Sequence, residues 1–225
     1  MADQLYLSLW FPNFRFEALP AALNAVMRQF SLIAKTKRVA AAAAYPISFH
    51  EAATYQRLYV LDDRSQASES DESLIENAVA EATELLHEDT AYEFEMKWNL
   101  WAPEGMADEE SMDLDSIWVQ TPSTVKFLGF GPDFDDSTFE QNGHIRIDFG
   151  LDTPWLFDEE AASTGDELQD EVEALTAKHI KQNIEMLLAF TLSVEKHCGI
   201  SSRLLWTESG EPLAEKLVAR LQRLN

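Results

Sequence analysis

The feature that most limits the possible folds is the alternation of apolar and polar residues in segment 92–101, which is strict from Tyr92 to Leu100. Apolar side chains occupy every second position, with polar ones between them: Phe94, Met96, Trp98 and Leu100 against Glu93, Glu95, Lys97 and Asn99. Because successive side chains of a strand point to opposite faces, this pattern predicts a strand with one buried face. Such strands are typical of antiparallel sheets, whose apolar face needs a covering layer.

A second alternating segment and one long helix match this requirement. At 144–149, Ile145, Ile147 and Phe149 alternate with polar residues. Apolar residues recur at helical spacing over 166–197, which predicts one helix that covers the sheet. We expect a buried set on the helix and an accessible set on the strands. The buried set is Leu175, Ile184, Leu187 and Leu188, and the accessible set is Glu93, Glu95, Arg146 and Asp148.

The first half of the chain alternates between strand and helix patterns. Strands are predicted at 4–11, 38–50, 54–61 and 92–101, and helices at 17–30 and 71–87. Segment 38–50 is ambiguous, because its alanine run favours a helix whereas Pro46 and the aromatic residues favour an edge strand; we interpret it as a strand. The resulting order, β-α-β-β-α-β, is that of a ferredoxin-like unit.

The second half adds strand patterns at 117–120, 124–130, 144–149 and 201–206, and helix patterns at 166–197 and 212–224. The predicted fold class is therefore α+β with a mainly antiparallel sheet. A ferredoxin-like half, residues 1–101, precedes a second α+β half with acidic loops and one long helix, residues 102–225. The two halves are either separate domains or one continuous domain that shares an extended sheet.

The negative charge is concentrated in the middle of the chain. Residues 102–173 contain twenty acidic side chains and two basic ones, so they carry −18 of the net charge of −23, whereas the last 52 residues carry +2. A field of one sign repels nucleic-acid phosphates and anionic lipids and attracts cations. We therefore expect a basic protein partner and neither nucleic acid nor membrane. The alternative is a salt-rich cytoplasm that selects acidic surfaces on every protein.

The cysteine content and the N-terminal residues indicate the cellular compartment in which the protein is expected. Cys198 is the only cysteine, so no intramolecular disulfide can form. The first residues lack a basic region followed by an apolar stretch, and no run reaches the roughly 18–20 apolar residues of a membrane span. These observations predict a cytoplasmic protein.

The sequence lacks the motifs of common catalytic and nucleotide-binding sites. It contains no G-x-S-x-G, H-E-x-x-H, P-loop or G-x-G-x-x-G pattern, and only eight glycines. Asp133, Asp135 and Ser137 have the spacing of a calcium loop, but Thr138 stands where glycine is needed and His144 where glutamate is needed. We expect no cofactor and no metal. The enzymatic alternative uses carboxylates in a cleft between the halves, on a small cationic or neutral substrate; its candidates are Asp133, Asp135, Asp136 and Asp148.

Aromatic residues within or beside the acidic segment are the best candidates for partner contacts. Aromatic anchors surrounded by charge are typical of protein-binding surfaces, although strand tryptophans also commonly form core. The leading hypothesis is a non-enzymatic protein of the inhibitor, immunity or adaptor type that docks a cationic protein. Its candidate binding residues are Trp101, Trp118, Asp133, Asp135, Asp136, Trp155 and Phe157.

Overall fold

A computed structural model describes residues 2–36, 38–59, 71–103, 118–135, 141–156 and 167–209. Within these residues the chain forms seven strands and four α-helices. The strands are β1 (Gln4–Trp10), β2 (Val39–Pro46), β3 (Tyr55–Leu58), β4 (Thr90–Pro103), β5 (Trp118–Phe130), β6 (Ile145–Leu151) and β7 (Ser202–Thr207). The helices are α1 (Leu19–Ala34), α2 (Asp71–Ala82), α3 (Thr153–Leu156) and α4 (Glu167–His197). The predicted helix at 212–224 lies outside the described residues.

All seven strands belong to one antiparallel sheet in the order β3-β2-β4-β5-β6-β1-β7. The predicted α+β class with an antiparallel sheet is confirmed. The elements from β1 to β4 follow one another as β-α-β-β-α-β, but the ferredoxin-like arrangement is not confirmed. The reason is the position of β1, which lies between β6 and β7, two strands from the second half of the chain.

The two strand patterns at 117–120 and 124–130 form one strand, β5, rather than two. Its partner β4 pairs with it along its whole length, from Ala91 opposite Phe130 to Pro103 opposite Trp118. Pro122 is tolerated in the middle of β5 because β6 pairs only with residues 126–129, so this part of β5 is a sheet edge. Likewise, the pairing of β2 with β4 ends at Met96. Residues 97–103 and 118–125 therefore form a two-stranded extension of the sheet, called here the hairpin arm.

The core lies between one face of the sheet and helices α1, α2 and α4. Aromatic rings meet at its centre, where the Phe30 ring centroid is 5.4 Å from that of Phe190 and 5.2 Å from that of Phe127. The predicted burial of Ile184 and Leu187 is confirmed, since both are 0% exposed. Partly buried side chains pack around this core, Leu188 among them.

The prediction that Leu175 is buried is wrong, since 52% of its surface is exposed. The buried stripe of α4 instead passes through the next residue, Thr176, which is 6% exposed and accepts a hydrogen bond from the Trp118 side chain. A helix has 3.6 residues per turn, so over a long helix the stripe drifts away from any fixed set of apolar positions. No described helix is long and apolar enough to cross a membrane.

The second sheet face is less open than the alternation predicted. The prediction that Glu93 is accessible is wrong, since only 9% of it is exposed, and Glu95, Arg146 and Asp148 are half-buried. Glu93 pairs with Leu128 on β5. Leu128 belongs to a second apolar cluster, which lies on this face at the turn after β5; its buried members are Ala91, Leu128, Phe130 and Phe134.

Gly131 marks a close approach between the turn after β5 and the turn before β4. A Cβ atom there would lie 2.2 Å from the carbonyl oxygen of Glu88, which also accepts a hydrogen bond from the Asp133 amide. We expect Gly131→Ala to lower the free energy of unfolding by about 1–3 kcal/mol, the usual cost of overpacking.

Urea unfolding of Gly131→Ala and Gly129→Ala measures this effect. A Cβ at Gly129 would meet only the side-chain end of Leu19, which can move, so its cost should be smaller. Equal midpoints for Gly131→Ala and the wild type would show that these turns are not in contact.

Candidate functional site

The hairpin arm brings two of the predicted tryptophans together. Trp101 on β4 and Trp118 on β5 stand on either side of His179 of α4, with ring centroids 4.0 Å and 5.5 Å from the imidazole. The Trp118 Nε1 donates to the Thr176 hydroxyl at 3.1 Å. Both tryptophans are half-buried, so each keeps exposed surface. Burial lowers the pKa of His179, which favours the neutral form of its imidazole.

Asn183 fixes the arm on α4 through its side-chain amide. Its Oδ1 accepts from the Trp101 backbone N–H at 3.0 Å, and its Nδ2 donates to the carbonyl oxygens of Trp101 and Pro154 at 2.9 and 3.0 Å. Only 2% of Asn183 is exposed. The Trp101 backbone is free to make these bonds because β2 does not extend this far along β4.

None of the sequence patterns above predicts Asn183 as a site residue, although its position on α4 indicates a buried polar group. It interrupts the apolar stripe of α4 next to Ile180 and Ile184. A lone amide on an apolar helical face indicates a buried hydrogen-bonding group, because buried polar atoms are nearly always paired. The partner backbone, Trp101, is distant in sequence and could not be named from that signal.

A shallow cleft of about 280 Å³ opens beside Trp101. Among the described residues, amide side chains dominate its lining and no titratable side chain belongs to it: Asn99, Trp101, Gln120, Gln182, Asn183 and Met186. The amide of Asn183 is already bonded, whereas Asn99, Gln120 and Gln182 are exposed. Such a lining can accept hydrogen bonds and stack against a planar or cationic group. None of the described lining residues is an acid or base suited to proton transfer.

The other predicted binding residues do not join this cluster. Asp133 and Asp135 are exposed in the turn after β5, at the opposite end of that strand from Trp118. Twelve strand steps of ~3.3 Å place the two ends of β5 roughly 40 Å apart. Trp155 is fully buried in the core, where its ring centroid is 5.9 Å from that of Trp98. Trp155 is therefore a core residue and not an exposed anchor for a partner. Asp136 and Phe157 lie outside the described residues.

A row of charged side chains crosses the second sheet face. Lys126 Nζ lies 3.2 Å from a carboxylate oxygen of Glu93 and 3.5 Å from one of Glu95. Burial raises the pKa of the Glu93 carboxyl, and the attraction of Lys126 opposes this shift. Among the described residues, no three His, Cys, Asp or Glu side chains are grouped so as to hold a metal ion.

The comparisons with known proteins add no relative to this description. No protein-family model matches the chain, and the searches of curated proteins and of solved structures found no match.

Proposed function

We propose that this protein is a non-enzymatic binding protein that docks a cationic protein, in the manner of an inhibitor, an immunity protein or an adaptor. One observation carries the proposal. Trp101 and Trp118 meet around His179 where the chain leaves and re-enters the hairpin arm, on either side of residues 104–117. That segment contains six acidic residues and no basic one. Exposed aromatic surface thus lies where a strongly acidic segment of the sequence joins the arm.

This combination suits a lysine or arginine side chain of a partner. The acids attract the cation at long range, and the aromatic cluster then offers a ring face for a cation–π contact of about 0.5–2 kcal/mol. The amide oxygens of Asn99, Gln120 and Gln182 can accept hydrogen bonds from the N–H groups of this lysine or arginine side chain.

The enzymatic alternative has less support among the described residues. Its candidates Asp133 and Asp135 lie in an exposed turn, whereas Asp148 lies in the middle of β6. Burial raises the pKa of the Cys198 thiol to about 11, so this group is a poor nucleophile at neutral pH. We further infer a cytoplasmic location, because a chain with this one cysteine does not depend on disulfides.

The proposal predicts salt-sensitive binding of a cationic peptide that depends on Trp101. The probe is a fluorescent nona-arginine peptide, and its anisotropy gives the dissociation constant at 50 and 300 mM salt. We expect at least a tenfold weakening at the higher salt, because screening shortens the reach of the field. Trp101→Ala should weaken binding roughly 2- to 30-fold, the equivalent of the cation–π energy above.

Two variants with the same change in net charge distinguish the effect of the acids at 104–117 on peptide binding from the effect of the overall charge. One variant replaces the six acids of 104–117 by their amides, and its control replaces six acids between 158 and 171, with the same change in net charge. Those control positions are Asp158, Glu159, Glu160, Asp166, Asp170 and Glu171. Trp206→Ala, on β7, controls for Trp101→Ala. Equal weakening by test and control variants, or binding that ignores salt, would contradict the proposal.

A further inference from the structure

Arg146 occupies an unusual place on the second sheet face. Its neighbours Ile145 and Ile147 point into the core, so by strand alternation Arg146 points to the other side. Its guanidinium carbon lies 5.2 Å from the ring centroids of both Tyr6 and Phe130, so the charged group sits between two aromatic rings. Planar guanidinium groups commonly stack in this way, and stacking leaves the N–H groups at their edges free to donate.

No described residue forms a hydrogen bond or ion pair with this guanidinium, and its Nε is buried without a partner. Burial lowers the pKa of Arg146, against the opposing effects of Tyr6 and Asp148. By contrast, Arg57 and Arg203 each bond a glutamate. In a chain with 40 acidic and 17 basic residues, a half-buried arginine with no carboxylate partner in the described part of the chain is unexpected.

The nearby carboxylates are held by other donors. Asp148 lies two residues along β6 on the same face, but its Oδ1 accepts from Gln4 Nε2 at 2.7 Å and from the Gly150 amide at 2.8 Å. Glu93 is bonded to Lys126 at 3.2 Å. Among the described residues, these two carboxylates therefore each have another donor. This arrangement keeps the donors of the guanidinium available for a group from outside the chain.

Apolar surface lies next to these donors. Across the strands, Arg146 pairs with Ser8, and Ser8 pairs with Leu204, which is 52% exposed. In the adjacent row, the rings of Tyr6 and Trp206 are tilted against each other by 34°, with centroids 4.6 Å apart. The Trp206 Nε1 is bonded to the Ser8 hydroxyl at 3.0 Å, so this indole presents an apolar surface rather than a donor. The second sheet face thus places the Arg146 guanidinium beside an apolar surface formed by Trp206 and Leu204.

We propose that Arg146 is the centre of a second binding site, which takes a monoanionic carboxylate ligand with an apolar or aromatic body. The planar fork of arginine matches a carboxylate through two parallel hydrogen bonds. A single arginine in a protein of net charge −23 can neutralise one negative charge, so the surrounding field disfavours a dianion such as phosphate. The apolar body of the ligand would lie along Leu204 and Trp206.

Calorimetric titration with benzoate tests this site, with benzamide, acetate and phosphate as comparison ligands. Benzoate should bind the wild-type protein at least tenfold more tightly than benzamide, which lacks the charge, and more tightly than acetate, which lacks the ring. Arg146→Gln should weaken benzoate binding at least tenfold. Arg146→Lys should also weaken it, because lysine keeps the charge but loses the fork. Arg203→Gln makes the same charge change elsewhere and should alter the affinity less than twofold.

Circular dichroism first checks that each variant is folded. If Arg146→Gln does not fold, the ligand comparison on the wild-type protein and the Arg146→Lys variant decide the question. Equal affinities for benzoate and benzamide would refute an anion site. So would unchanged benzoate binding by a folded Arg146→Gln variant. Tighter binding of phosphate than of benzoate would overturn the assignment to a monoanionic carboxylate. Equal affinities for acetate and benzoate would show that Leu204 and Trp206 do not contact the apolar body of the ligand.

Discussion

Replacing Leu187 by alanine is expected to lower the free energy of unfolding by about 2–5 kcal/mol, the range for a fully buried leucine. Leu187 is 0% exposed and lies on the stripe by which α4 covers the sheet. The loss combines the transfer free energy of the removed methyl groups with the cavity that remains. Urea unfolding followed by circular dichroism measures the change.

The same helix supplies the control for this prediction. Leu192 is 57% exposed, so Leu192→Ala should change the stability by no more than about 0.5 kcal/mol. Because both substitutions replace leucine by alanine within α4, helix propensity contributes equally to both. If the two variants unfold at the same urea concentration, α4 does not cover this sheet through Leu187 and the packing described above is wrong.

Replacing Asn183 by alanine is expected to destabilise the protein by about 2–4 kcal/mol, because the loss leaves buried polar groups without partners. The N–H and carbonyl of Trp101 and the carbonyl of Pro154 each lose a hydrogen bond. Few replacements could restore these bonds, since the amide acts as both donor and acceptor. Thermal and urea unfolding provide the measurement.

Gln182→Ala is the matched control, because Gln182 is the exposed neighbour on the same helix. We expect that variant to stay within about 0.5 kcal/mol of the wild type. A second readout concerns the arm itself. Asn183→Ala should also weaken binding of the nona-arginine probe, since Asn183 positions Trp101 beside the cleft. Equal stability of the Asn183 and Gln182 variants would show that the amide does not hold the arm.

Local patterns were sufficient for the class of the fold. The alternation at 92–101 predicts β4 and its buried face, and the apolar spacing at 166–197 predicts α4 with Ile184 and Leu187 in the core. Periodicity is a property of residues close in sequence, so it predicts a helix or strand without any knowledge of the rest of the chain. The same reasoning identified Trp101 and Trp118 as candidates, but Trp155 carried the same signal and is fully buried. Aromatic character alone does not distinguish an exposed tryptophan from a core one.

Only the tertiary structure decided which distant segments meet. β1 pairs with β7, so that the Tyr6 ring contacts the Trp206 ring, and no local pattern contains a contact between residues so distant in sequence. Glu93 is buried on the second face, where it lies opposite Leu128 of the second apolar cluster. Asn183 is bonded to Trp101 because the edge of β4 is free there. A side chain's exposure and hydrogen bonds depend on its neighbours in space, and sequence periodicity predicts only which face of its own element it occupies.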